Sequence, residues 1–286
     1  MPYAVVVGVD GSEPSTAAAE WAAQEAQRSG RPLRLLHVGG TSSPAPGEAD
    51  GVAEPLPPSV LATRDRIASV LPGLELTCEQ VPGSPAYALA AAGGRNGLLV
   101  LGSRGLGGFA GLLVGAVSLR VAGLANCPVV LLRAGVDGRG GGAGDVVLGL
   151  DGDGACPEVV AFAFEQAAAQ GATLRVLRSL TVPAGPYSTE AVVEQWEIRE
   201  ALEAAELMRL QDALAPWREK HPEVRVQAEL SAWPAGRALV EASRSARLTV
   251  VGRRRPRLHP AAPWLGPVTH AVLHHAHSPV AVVPHD

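Results

Sequence analysis

The sequence predicts an α/β fold made of two tandem domains, each a doubly wound parallel sheet of five strands with helices on both faces. Its 286 residues suit two domains of ordinary size. Short continuous apolar runs alternate with longer alanine-rich stretches, which is typical of parallel strands buried on both faces. The second half of the chain also repeats the pattern of the first, so whatever one half forms the other should form too.

The first half shows the alternation most clearly. Its apolar, β-branched runs predict strands near residues 4–10, 33–38, 75–81, 98–102 and 129–133. Its alanine-rich stretches predict helices near residues 14–28, 58–70, 84–94 and 116–126. Right-handed crossovers between parallel strands would wind these elements into a layer of helices on each face of the sheet.

Four segments of the first half return in the second. Val5–Ser12, Gly30–His37, Leu99–Arg104 and Asn126–Leu132 return as Val146–Asp153, Gly171–Arg178, Thr249–Arg254 and His277–Val283. We therefore expect domains at residues 1–134 and 145–286, joined by a flexible glycine-rich tether at 135–144. The second copy carries an insertion, and the segment 190–220 is predicted to be a lengthened outer helix. The last strand of each half is apolar and needs a partner, so these two edges are expected to meet.

Composition excludes several functional classes. The net charge is −4 with 18% charged residues, and no basic surface typical of nucleic-acid binding is evident. No apolar stretch reaches the roughly 18 residues of a membrane span, and the N-terminus lacks the charged region of a signal peptide. The three scattered cysteines, Cys78, Cys127 and Cys156, are typical of reduced thiols. A cytoplasmic protein with neither nucleic-acid nor membrane partners is expected.

A glycine-rich run at residues 102–118 lies between a predicted strand and a predicted helix. Glycines there can present bare backbone N–H groups to an anion at a helix N-terminus. The run is not a P-loop, because no Gly-Lys-Ser or Gly-Lys-Thr ends it. The segment Gly105–Ala110 matches the dinucleotide fingerprint by letters, but it lies too far from the helix that such a motif should open.

The spacing of Gly102, Gly105 and Gly115, together with the start Val5–Ser12, resembles the ATP-binding branch of the universal stress protein family. The resemblance extends over nearly the whole chain, as a tandem member. It implies a Rossmann-like fold of the adenine nucleotide α-hydrolase type, with ATP bound in the first half and Mg²⁺ held through its phosphates. The alternative is an ordinary surface loop in a protein with 33 glycines.

The resemblance implies a set of nucleotide-binding residues in the first half: Gly8, Asp10, Val38, Leu101, Gly102, Arg104, Gly105, Gly115, Ala116, Val117 and Ser118. Asp10 is matched to the adenosine part, although it also suits a turn or N-cap before the first helix. Val38 is matched to backbone contacts with adenine. Arg104 would add charge at the phosphates, or is simply a solvated surface arginine.

One departure from the family pattern concerns Ala116, where a serine or threonine usually follows the third glycine. The missing hydroxyl is worth roughly 1.5–3 kcal/mol toward a charged group, and the Val117 backbone and Ser118 are its potential substitutes. The second half departs further. Arg255 replaces the second glycine and Pro267 follows the third, so we expect one nucleotide per chain. Arg255 could still supply charge at a remnant site.

His270, His274 and His277 have helical spacing, which suits either a metal pair or, more simply, a solvated or dimer-facing row. No catalytic constellation stands out. The leading interpretation is a non-enzymatic, ATP-binding protein with a regulatory or stress-adaptation role. The alternatives are a nucleotide-free interaction scaffold and a slow ATP hydrolase. A second copy of the chain or an unidentified protein is the expected partner.

Overall fold

A computed structural model of the chain describes residues 3–39, 55–94, 97–103, 114–133, 144–151, 156–180, 189–255 and 264–286. The strands are β1 (Val5–Gly8), β2 (Leu33–Val38), β3 (Leu76–Val81), β4 (Leu98–Gly102), β5 (Val129–Leu132), β6 (Asp145–Leu150), β7 (Leu174–Ser179), β8 (Val226–Ser231), β9 (Ala246–Arg254) and β10 (Val280–His285). The helices are α1 (Glu13–Ser29), α2 (Pro58–Val70), α3 (Pro85–Ala92), α4 (Ala116–Leu124), α5 (Pro157–Gln170), α6 (Thr189–Lys220), α7 (Ala235–Ala242) and α8 (Pro267–His275).

The strands form one sheet in the order β3-β2-β1-β4-β5-β10-β9-β6-β7-β8. Neighbours are parallel within each half, and β5 and β10 pair antiparallel where the halves meet. Each half is thus a five-stranded, doubly wound unit, which confirms the predicted fold class. The strand order reverses between β1 and β4 in the first half and between β6 and β9 in the second.

The two last strands meet as expected. Val280, Ala281 and Val282 of β10 lie opposite Leu131, Val130 and Val129 of β5. All six residues are almost fully buried. The pairing satisfies the backbone groups of two apolar edges that would otherwise be exposed.

The sheet separates two hydrophobic layers. One face is covered by α1, α2, α5 and α6, and the other by α3, α4, α7 and α8. The expected long outer helix is present as α6, which contains Pro216. The linker 135–143 and the loop 40–54 lie outside the described residues.

Two buried polar contacts also join the halves. Gln166 of α5 donates from Nε2 to Oε1 of Glu25 on α1 at 2.9 Å. Arg253, at the end of β9, donates to the carbonyl oxygens of Gly123 (2.9 Å) and Ala125 at the C-terminus of α4. Cations are favoured at helix C-termini because the last carbonyls have no intrahelical donors.

Candidate functional site

The candidate site of the first half lies where β1, β2 and β4 end side by side. β1 pairs with β2 on one side and with β4 on the other, with Gly8 opposite Leu36 and Val7 opposite Val100. The strand order reverses at the β1–β4 boundary. In open α/β sheets, ligands bind in the crevice outside the strand ends at such a reversal.

Asp10 organises the turn that follows β1. Its Oδ1 accepts hydrogen bonds from the backbone N–H of Ser12 at 3.0 Å and from the Ser12 hydroxyl at 2.6 Å. The Ser12 oxygen in turn accepts from the N–H of Ser15 and caps α1. The turn role considered for Asp10 is therefore confirmed and its role as the N-cap is wrong, since Ser12 is the cap, while its contact with adenosine stays a prediction.

Two of the predicted glycines lie in close packing at the strand ends, Gly102 against backbone atoms and Gly8 against leucine methyl groups. A Cβ on Gly102 would lie 2.7 Å from the carbonyl carbon and oxygen of Pro14, at the start of α1. A Cβ on Gly8 would lie 2.6 Å from a methyl group of Leu101 and 2.9 Å from one of Leu89. The Leu101 side chain is thus buried in the core over Gly8, so only its backbone is left to line a ligand.

The N-terminus of α4 lies beside the end of β4. Gly115 is its N-cap residue and makes no side-chain capping bond, and its N–H donates to the carbonyl of Ser103 at 2.6 Å. The Ser118 hydroxyl donates to the carbonyl of Gly102 at 2.8 Å. Since that bond uses its one proton, the donors that this turn offers to an anion are backbone N–H groups, those of the exposed Ala116 and Val117 and that of the buried Ser118.

The remaining predicted residues are less informative. Arg104 and Gly105 lie outside the described residues. Val38 ends β2 opposite Val81 and packs partly buried against the α3 and α4 side of the core. The edge therefore brings together the strand ends and the α4 N-terminus, as the sequence predicted.

Sequence reasoning missed two polar groups at this edge. The Nδ1 of His37, the penultimate residue of β2, lies 2.8 Å from the carbonyl oxygen of Val9. Ser103 is 3% exposed, and its hydroxyl has no hydrogen-bond partner among the described residues. Both residues directly adjoin predicted ones, Val38 and Gly102, so a search of the strand ends for polar neighbours would have found them.

In the second half, the carboxyl ends of the strands are arranged differently. The strands β9 and β10 continue together to Arg254 and His285. The His285 ring lies over Gly252, with Nε2 2.9 Å from where a Cβ would be. Arg255 pairs with Asp286, Nη1 to Oδ1 at 2.8 Å, so the guanidinium suggested as a substitute for the lost glycine is already engaged.

A cavity of about 670 Å³ nevertheless opens at this second edge. Its described lining comes from the ends of β6, β7, β9 and β10 and from the first turns of α5, α7 and α8, together with Trp264. The proline-rich segment 256–263 lies outside the described residues. The sequence did not predict this cavity, because a half that was expected to have lost its phosphate loop was not expected to keep a ligand pocket.

The histidine row forms only in part. The His270 and His274 rings lie 4.4 Å apart, centroid to centroid, on α8. His277 lies beyond the C-terminus of that helix, so the expectation of three histidines on one helical face is wrong. Within the described ranges, no three His, Cys, Asp or Glu side chains are grouped to hold a metal ion. No helix there has the length and apolarity needed to cross a bilayer.

Comparison with known proteins agrees with this architecture. The model of the Universal stress protein family matches residues 2–133 and again residues 143–284. Universal stress protein Rv2005c of Mycobacterium tuberculosis is 32% identical, with 98% of this chain and 96% of the relative covered. A universal stress protein of Mycolicibacterium smegmatis is 29% identical, with 98% and 97% covered.

Solved structures show the same fold. A universal stress protein from Archaeoglobus fulgidus superimposes with a TM-score of 0.63 at 16% identity, covering 99% of this chain and 96% of its own. A putative universal stress protein from Pseudomonas aeruginosa does so with a TM-score of 0.60 at 17% identity, covering 99% and 92%. With the family model matched in both halves and relatives similar over their full length, the chain belongs to the universal stress protein family, as a tandem member.

Proposed function

We propose that the first half of the chain binds ATP, with Mg²⁺ held through the phosphates, and that the protein acts in regulation or stress adaptation in the cytoplasm without catalysing a reaction. The observation that carries this proposal is the α4 N-terminus, which begins beside the end of β4 and which no side chain of the described residues caps. Uncapped N–H groups and the positive end of a helix dipole favour a phosphate.

The described residues at this edge are compatible with a nucleotide. Strand ends of β1, β2 and β4 would contact the nucleoside, and the first turn of α4 would donate to the phosphates. The Oδ1 of Asp10 is occupied by Ser12, and no cluster of metal ligands is present among the described residues. Magnesium would accordingly be held by phosphate oxygens, which suits its preference for substrate phosphates and water.

The test is a calorimetric titration of the full chain with MgATP, before and after Gly105→Asp. The substitution adds a side chain and a negative charge where the resemblance places phosphate, so binding should be abolished. Gly73→Asp is the matched control, because a Cβ on Gly73 would meet no atom within 4 Å. The turn that contains Gly73 precedes β3, so it lies at the amino-terminal ends of the strands, away from the proposed site at their carboxyl ends. Equal MgATP affinity in the two variants would refute the site.

The same titration measures stoichiometry. We expect one nucleotide per chain, because Arg255 is held by Asp286 and Pro267 removes an N–H from the first turn of α8. A value near two would show that the second half binds nucleotide as well.

A nucleotide-free interaction scaffold is the second candidate. It is favoured by Ala116, which lacks the family hydroxyl, and by the engagement of Ser118 with Gly102. Mass spectrometry of ligand released from the purified protein separates the two: bound ATP supports the first candidate, and its absence together with silent calorimetry supports the scaffold. Phosphate release above that of a Gly115 variant would instead identify a slow hydrolase.

A further inference from the structure

The cavity of the second half has the size and position of a ligand site. At about 670 Å³ it is far larger than an inorganic anion needs and falls within the range of small-molecule pockets. It lies at the carboxyl ends of β6 and β9, the adjacent strands at which the strand order reverses.

Two helix N-termini border the cavity, and no side chain among the described residues caps either of them. Cys156 is the N-cap residue of α5 and Gly266 that of α8, and neither makes a capping bond. In the first half the equivalent helix α1 is capped by Ser12, whose counterpart in the repeat, Asp153, lies outside the described residues. The N–H groups of Val268 and Thr269 in the first turn of α8, both in the cavity wall, have no intrahelical acceptor. This wall therefore favours a negatively charged group.

An arginine supplies positive charge at the same place. Arg254 lines the cavity and is exposed, and among the described residues its guanidinium forms no hydrogen bond or ion pair. Two other arginines nearby already form ion pairs: Arg178 with Glu206 at 2.7 Å, and Arg255 with Asp286. Burial raises the pKa of the Cys156 thiol, with Glu158 and Asp151 adding to the rise and Arg254 opposing it, so the charge of Arg254 acts near the α5 N-terminus.

The rest of the wall limits what kind of anion fits. Three carboxylates, those of Asp151, Glu158 and Asp286, also line the cavity and would repel a polyanion such as a triphosphate. Pro267 removes one of the N–H donors that a phosphate would need. A single carboxylate, by contrast, matches the planar fork of one guanidinium.

Apolar side chains form the floor and one side of the cavity. Leu177, Leu239 and Val251 lie beneath the cavity, but they are 3–7% exposed and belong to one hydrophobic layer, so they form its floor and offer little free surface. Trp264 stands at the cavity with 52% of its surface exposed. The exposed indole beside this apolar floor suits an aliphatic chain or an aromatic ring.

We propose that the second half binds a small monocarboxylate with an apolar chain or ring, whose carboxylate contacts Arg254 and the α8 N-terminus and whose apolar body packs on Trp264. This site is separate from the proposed nucleotide site and does not depend on it.

The experiment uses 3-phenylpropionate and its neutral amide as probes on the full chain, with binding measured by ligand-observed NMR and calorimetry. We expect the carboxylate to bind at least about tenfold more tightly than the amide, and Arg254→Met to remove at least that difference. Arg244→Met is the matched control, since Arg244 is an exposed arginine paired with Glu241 and does not line the cavity.

Three outcomes would overturn the proposal. They are equal binding of the two probes, unchanged carboxylate affinity in Arg254→Met, and absence of binding at millimolar carboxylate. MgATP is added as a competitor: displacement of bound 3-phenylpropionate would show that the cavity is a nucleotide site and would also overturn it. Because Gly105→Asp lies in the other half, it should leave carboxylate binding unchanged, so this test fails or succeeds independently of the nucleotide test.

Discussion

Replacing Arg253 by methionine should destabilise the whole chain, because this side chain fastens one half to the other. Arg253 is 3% exposed and gives two hydrogen bonds to the last carbonyls of α4, at Gly123 and Ala125. Burial, with a smaller contribution from Arg255, lowers its pKa to about 10. The guanidinium is therefore still charged at pH 7. Methionine keeps the apolar stem and removes both donors.

The size of the effect follows from two opposing contributions. Hydrogen bonds from a charged donor contribute roughly 1.5–3 kcal/mol each, and two carbonyls would lose their partner. Removing a buried charge returns part of this loss, because its desolvation cost disappears. We therefore expect the free energy of unfolding to fall by about 2–4 kcal/mol. The loss of stability in Arg253→Lys should lie between zero and that of Arg253→Met, since a single ammonium group lacks the planar fork that reaches both carbonyls.

The assay is urea unfolding of the full chain at pH 7, followed by circular dichroism, with the slope and midpoint fitted for each variant. Arg254→Met is the control: it removes the same charge one residue later, from an exposed side chain, and should change stability by less than about 0.5 kcal/mol. If the two methionine variants unfold at the same urea concentration, the inferred role of Arg253 in joining the halves is wrong.

Three further changes test other parts of the structure. Ala116→Ser should strengthen MgATP binding by about 1–2 kcal/mol and leave the affinity for adenosine unchanged, because the Ser118 hydroxyl already donates its proton to a backbone carbonyl. Equal changes for both ligands in calorimetry would argue against a phosphate cradle. Gln166→Glu should destabilise the chain at pH 7 by about 2–4 kcal/mol by placing a second carboxylate against buried Glu25, with recovery in acid as a proton is taken up; pH-independent unfolding would contradict this. Burial and the neighbouring histidines of α8 lower the pKa of His274, so this histidine takes up a proton in the unfolded chain at a higher pH than in the folded one. The free energy of unfolding should therefore fall as pH drops below about 6.5. His274→Gln should reduce that fall, and an unchanged slope of stability against pH between 7.5 and 5.5 would refute the assignment.

Most of the local structure followed from the sequence because hydrophobic periodicity is a local signal. The predicted strands 33–38 and 98–102 coincide with β2 and β4. The predicted strand 4–10 is shortened in the structure, because Asp10 turns the chain through its bonds to Ser12. The predicted helix 84–94 ends at Ala92, and Gly94 follows with a positive φ of 60°.

The convergence of the first-half candidate residues at the carboxyl ends of the strands was predicted for the same reason, while their binding of a nucleotide stays a prediction. Strand ends and the α4 N-terminus must share an edge once the sheet is parallel and doubly wound. What local pattern could not show is how each side chain is used. Ser118 reads as a donor for phosphate, but folding places its hydroxyl on the carbonyl of Gly102, a residue 16 positions away.

The basic cluster Arg253–Arg255 shows most clearly what the sequence alone could not predict. In the sequence it is one positive segment, and the tertiary structure gives its three members three environments. Arg253 is buried against α4 of the other half, Arg254 is exposed at the cavity, and Arg255 pairs with Asp286. Successive strand residues point to opposite faces, so neighbours in sequence are separated in space. The sequence determined that a strand ends there in positive charge, and only the packing of the two halves decided which arginine joins them and which one is left exposed at the cavity.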